Sequence, residues 1–169
     1  SRRSLRVPSY CDDYNLENVI KESPLLSTTN MEQLLDSLGL EISDYKEKIE
    51  KYGFTLEEHI KRDELINNDQ FIKFYEEIKQ DVIDNSSTEK ENLIKYLKQY
   101  DFNKKIAIVD IGWGGSMQKN LIQTLDNQGI SNNITGYYLG LSKKSKQNLA
   151  ANGYKAKGYL FDCLNNDTD

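Results

Sequence analysis

Residues Lys105–Gln118 read Lys-Ile-Ala-Ile-Val-Asp-Ile-Gly-Trp-Gly-Gly-Ser-Met-Gln, and this stretch decides the fold class. A short β-branched run ends in Asp110, three glycines follow within four positions, and a serine opens a segment with helical apolar spacing. That order is a strand, a tight loop and a helix, the unit with which α/β proteins place a ligand at a helix N-terminus. Ile106 to Val109 is nearly continuous in apolar character, which predicts a strand buried on both faces. Met117, Leu121, Ile122 and Leu125 line one side of the following helix, Gly129 lies past its end, and Ile134 to Leu141 returns as a strand. Strand, helix and strand within this span are the size of a right-handed βαβ crossover. A small helix from Ser145 to Ala150 and a third strand from Ala156 to Phe161 extend the sheet.

Upstream the pattern changes. Before residue 103 glycine is nearly absent and apolar residues recur at helical spacing, whereas eight of the ten glycines come after it. The expectation is a helical N-terminal half, residues 1–102, followed by a small open, mainly parallel α/β region, residues 103–169. Leu16, Val19 and Ile20 predict a first helix, ending before Pro24. Met31, Leu34, Leu35 and Leu38 predict a second, closed by Gly39, and Ser43 to Tyr52 forms a third. Thr55-Leu56-Glu57-Glu58 has the form of a capping box and predicts a fourth helix to about Ile66. Phe71, Tyr75, Ile78 and Val82 form one stripe of a fifth, and Ser87 or Thr88 opens a sixth. This array reads either as a cap over a site or as a packed layer without a ligand.

The chain has 169 residues with a net charge of −5, too acidic a balance for general nucleic-acid affinity. No apolar run approaches the roughly 20 residues that span a bilayer. Cys11 and Cys163 sit near opposite ends of the chain and can pair only if the termini meet; nothing else suggests secretion, so the expected state is two reduced thiols in a cytoplasmic protein. The arginine-rich start and the polar end have the character of a piece of a larger multidomain protein.

The candidate site lies at the carboxyl end of the first strand. Asp110, its last residue, projects into the crevice, where a carboxylate can hold a metal, a sugar hydroxyl or a substrate proton or accept from its own loop's amides. Gly112, Gly114 and Gly115 permit close backbone approach, Ser116 can cap the helix, and an anion is the expected guest. Trp113 can stack on a sugar or a base, or plug the sheet end. Gln118 has a long amide suited to a hydroxyl or phosphate. Arg2 and Arg3 add guanidinium forks for an anion, or belong to a solvated tail. Neither the Walker A loop nor the dinucleotide fingerprint fits these glycines. No base accompanies Ser116, since the single histidine, His59, lies in the helical half. No Cys/His cluster has metal-ligand spacing, and nothing identifies a cofactor. Asp110 is the one candidate catalytic residue, without a complete constellation around it.

The segments Ser1–Ser9 and Val109–Gln118 (Val-Asp-Ile-Gly-Trp-Gly-Gly-Ser-Met-Gln) resemble the region downstream of the hydrolase domain in haloacid-dehalogenase-superfamily proteins associated with bacterial surface polysaccharide biosynthesis. The resemblance implies a portion of a multidomain cytoplasmic protein, encoded with or fused to glycosyltransferases, whose partners are its neighbouring domains and a phosphorylated sugar or nucleotide-sugar. It does not carry over the hydrolase mechanism, because that family's Asp-x-Asp-x-Thr triplet does not occur. Phe161-Asp162-Cys163-Leu164 is the nearest approach, without the second aspartate. The glycine loop is similar, more weakly, to the phosphate loop of phosphoribosyltransferases, but it is shorter and follows one acid instead of two. Two readings stand: a ligand-binding α/β domain, and a noncatalytic accessory module in which the glycine loop is a turn.

Overall fold

The computed structural model describes Leu5 and residues 13–23 and 25–165. Arg2, Arg3 and Cys11 lie outside them. The chain divides into two compact units, Ser1–Tyr96 and Leu97–Asp169.

The first unit is helical. Asn15 starts α1 (Leu16–Glu22) by accepting the Asn18 amide at 2.8 Å, and Asn30 does the same for α2 (Met31–Leu38) through Gln33 at 2.9 Å. Gly39 ends α2 in the left-handed region, φ 83°, where a Cβ would be strained. The third expected helix is broken in two: a 3-10 turn at Ile42–Asp44 precedes α3 (Lys46–Lys51).

The capping-box expectation at Thr55 meets a correction. Thr55 Oγ1 does accept the Glu58 amide, at 3.3 Å, but the chain then extends into β2 (Ile60–Lys61), paired antiparallel with β1 (Thr28–Thr29). Only the short α4 (Arg62–Leu65) is helical there. A tertiary demand overrides the local signal. The Arg62 guanidinium donates to the carbonyls of Leu25, Lys21 and Ile20, closing the C-terminal end of α1.

The fifth and sixth expected helices are one, α5 (Asp69–Leu97), 29 residues long. Ser87 and Thr88 look like N-caps in sequence, but no glycine or proline interrupts the stretch. Thr88 Oγ1 donates back to the Asp84 carbonyl at 3.2 Å, so its hydroxyl is satisfied inside a continuous helix. Phe71, Phe74, Tyr75, Ile78 and Val82 of α5 are buried in one cluster with Leu34, Leu35, Leu38, Ile49 and Leu65. Phe71 and Phe74 make tilted and edge-on ring contacts with each other and with Phe54, at centroid distances of 6.0 to 6.5 Å. At the rim, Tyr45 donates to Asp81 at 2.9 Å; burial, and then the Asp81 carboxylate, push its hydroxyl up to about 12.

The second unit is a three-stranded parallel sheet of β3 (Lys105–Asp110), β4 (Asn133–Tyr138) and β5 (Lys155–Gly158), in that order. Asp110 stands level with Tyr138 and Gly158, and Val109 with Tyr137 and Lys157. Helices α6 (Ser116–Asn127) and α7 (Lys144–Asn148) provide the crossovers that parallel strands require. This is the α/β class expected, with two differences. β3 is an edge strand, and it alternates between half-buried (Ile106, Ile108, Asp110) and exposed (Ala107, Val109) positions rather than being buried on both faces. The third strand is also shorter than expected, because the chain turns at Gly158. No helix among the described residues is long and apolar enough to cross a membrane.

The seam between α6 and the sheet is polar. Gln118 is completely buried; its Nε2 donates to the Lys155 carbonyl at 2.9 Å and its Oε1 accepts from the Tyr138 hydroxyl at 3.0 Å. Space for it exists because residue 136 is glycine: a Cβ there would overlap the Gln118 amide and the Tyr138 ring.

Two stability outcomes follow. Thr88→Pro distinguishes one helix from two: at the first position of a new helix proline is tolerated, whereas inside α5 it lowers stability by about 3 kcal/mol, read by urea denaturation of the far-ultraviolet circular dichroism. Gln118→Ala leaves the buried Tyr138 hydroxyl without its partner and removes the side-chain donor to the Lys155 carbonyl, at a cost of about 2 kcal/mol, measured the same way.

Candidate functional site

Asp110 ends β3 on the side of the sheet that carries α6. Its Oδ1 accepts the Gly112 amide at 2.8 Å, and a Cβ on Gly112 would stand 3.0 Å from Oδ2. The carboxylate is thus folded against its own loop through one oxygen. Its charge also reaches the next strand: Tyr138 is held above the usual phenol range by burial first and by Asp110 second.

The loop from Ile111 to Gly115 is held through its carbonyls. The Trp113 carbonyl accepts from the Ser142 amide at 2.9 Å and from Ser142 Oγ at 3.1 Å, and the Gly114 carbonyl accepts from Asn148 Nδ2 at 2.6 Å. Gly115, not Ser116, occupies the position before the helix. It is left-handed at φ 70°, and a Cβ would overlap the Leu149 side chain. Ser116 is the first helical residue, so the expected serine cap is absent and no side chain caps α6. Its first-turn amides, from Ser116 to Gln118, therefore have no acceptor within the helix. Gly114 differs from its neighbours. Its φ is not in the left-handed region, and a Cβ would find only ordinary contacts at 3.7 to 3.9 Å with Lys144 and Asn148.

Trp113 is 57% exposed, with its ring edge-on to Phe161 at 5.7 Å. It offers indole surface at the sheet end instead of plugging it. Gln118, expected to reach a ligand, points the opposite way and is consumed in the core. The elements that the sequence reading did not single out are Ser142, Lys144 and Asn148, on the turn after β4 and on α7. Their signal was positional, since the end of a second parallel strand adjoins the end of the first. Lys144 runs beside Gly114, is exposed, and forms no ion pair among the described residues.

A cavity of about 480 Å³ opens at the same end of the sheet, lined by residues including Val109, Ile111, Tyr137, Leu139, Lys157 and Tyr159. Gly112, Gly114 and Gly115 do not line it. Most of its lining side chains come from the sheet face opposite the helices, and Asp110, Tyr138 and Gly158 border it as well.

Asp162 closes the C-terminal turn. Its carboxylate accepts the amides of Gly158 at 2.9 Å, Leu164 at 3.0 Å and Asn165 at 3.1 Å, and the Asn165 side chain at 2.7 Å. Burial works against its charge, but these donors outweigh it and hold the carboxyl below its ordinary value of 3.8. A carboxylate so fully engaged is a structural hub and not a nucleophile.

No protein-family model matches this chain, and no curated protein does.

The lowered Asp162 value sets a direction with pH. The stability it contributes is fully present above its unfolded value and is lost as pH falls through the lower folded one. Acid titration followed by nuclear magnetic resonance is expected to show the 158–165 amides losing protection below about pH 4. Asp162→Ala removes this pH-dependent component and destabilises the second unit by about 1–2 kcal/mol at neutral pH.

Proposed function

We propose that the α/β unit binds a phosphorylated sugar or nucleotide-sugar at the loop Trp113–Ser116, as part of a multidomain protein of bacterial surface polysaccharide assembly. The observation that carries this is the open start of α6. Its first-turn amides have no capping side chain, and the side chain of Lys144, without an ion pair among the described residues, runs beside Gly114. Amides and cation together favour a phosphate. The exposed indole of Trp113 supplies a stacking face for the sugar or base, and Asp110 Oδ2 remains as an acceptor for a hydroxyl. The role is binding: Asp110 has no acid–base partner among the described residues, so catalysis belongs to another domain.

The second reading, an accessory module, is favoured by a specific set of contacts. The Asp110–Gly112 bond and the packing of Gly115 on Leu149 give both residues a structural reason to be there.

Gly114→Ala separates the two. The added methyl fits without overlap and lowers the entropy of the unfolded chain, so stability stays within about 1 kcal/mol of the parent. Under the binding reading the methyl obstructs backbone approach and weakens binding about tenfold, as does Lys144→Ala. The readout is the fluorescence of the single tryptophan, titrated with glucose 1-phosphate, UDP-glucose and inorganic phosphate. A flat signal with all three sinks the binding reading and leaves the accessory one.

A further inference from the structure

Both crossover helices cover one face of the sheet. Gln118 of α6 reaches Tyr138 and Lys155, and Leu149, just after α7, is buried with Tyr138, Leu141 and Ala156. The other face carries the alternate residues: Lys105, Ala107, Val109 and Ile111 from β3 and its extension, Tyr137 and Leu139 from β4 and its extension, and Lys155, Lys157 and Tyr159 from β5 and its extension. Val109 is 83% exposed, Ile111 82% and Tyr159 86%, with Tyr137 and Leu139 near half. Parallel sheets are ordinarily covered on both faces, and an apolar patch this large on one surface marks an interaction site.

We infer that this outward face is the contact between two copies of the chain, packed sheet against sheet about a two-fold axis. Area supports a copy as the occupant. The exposed parts of Val109, Ile111, Tyr137, Leu139 and Tyr159, with aromatic side chains offering about 150–250 Å² each, come to roughly 700 Å². A stable specific interface buries about 800 Å² on each partner, and an isologous contact brings the same patch from both sides.

Charge fixes the arrangement. The apolar residues occupy the carboxyl half of the face, while Lys105, Lys155 and Lys157 occupy the amino half and the β5 edge. A two-fold axis parallel to the strands would lay lysine half on lysine half. An axis perpendicular to the strands, at the level of Asp110 and Tyr138, sets Val109 against Ile111, Tyr137 against Leu139 and Lys157 against Tyr159 of the other copy, and sends Lys105 and Lys155 outward to water at opposite ends. The two sheets then run antiparallel, with the cavity on each copy filled by its partner's side chains. The glycines and Trp113 of the ligand loop lie outside the cavity lining, which Asp110 borders.

Sedimentation equilibrium of the full chain across the micromolar range tests it. The expected result is a reversible dimer of twice the 19.5 kDa chain mass. Val109→Glu and Tyr137→Glu, both at exposed positions, shift it at least tenfold toward monomer with unchanged far-ultraviolet circular dichroism. A monomer at every concentration overturns the inference. A dimer indifferent to both substitutions overturns it too, by placing the contact elsewhere. The tryptophan titration reads the loop and reports separately on ligand binding.

Discussion

The second unit depends on one buried amide. Gln118 fills the notch that Gly136 leaves in the middle strand and satisfies a tyrosine hydroxyl and a strand carbonyl at once. Buried polar groups are costly when half-satisfied and specifying when fully satisfied. This bridge sets the rotation of α6 about its axis and its height along β4 and β5. Everything at the carboxyl end of the sheet inherits that placement: Gly115 meets Leu149, the loop carbonyls meet Ser142 and Asn148, and the first-turn amides of α6 are left without a capping side chain.

The same geometry divides the labour of the glycine loop. Gly115 is required by its left-handed backbone and its contact with Leu149, and Gly112 is crowded by the Asp110 carboxylate. Gly114 is required by neither, although the three look alike in sequence. The part of the loop free to meet a ligand is therefore smaller than the motif, and its chemistry comes from backbone amides and Lys144 more than from motif side chains. Packing on one side alone leaves the sheet with two unlike faces, one sealed by polar and aliphatic contacts to the helices and one apolar and open.

In the helical unit the decisive element is α5, whose aromatic stripe organises the shorter helices around it. Residues that look like punctuation in the sequence, Ser87 and Thr88, are absorbed into it because a hydroxyl can donate back to its own helix. Residues that look like a helix start, Thr55 to Glu58, form the local bond without the helix. The chain there is needed in extended form to pair with β1 and to bring Arg62 to the end of α1. A capping bond contributes about 1 kcal/mol, too little to resist several tertiary contacts.

What the sequence determined by itself is what short-range chemistry controls: the helical half, the strand–glycine loop–helix unit, the parallel sheet, the Gly39 stop, and Asp110 at a strand end. Apolar periodicity and backbone preferences act over a few residues and can be read directly. Only the tertiary structure decided that Gln118 turns inward, that Gly115 and not Ser116 precedes the helix, that Lys144 joins the loop, and that one sheet face stays apolar and exposed. Each of these is set by residues between about twenty and forty positions away, brought together by strand register, and no local pattern carries that information.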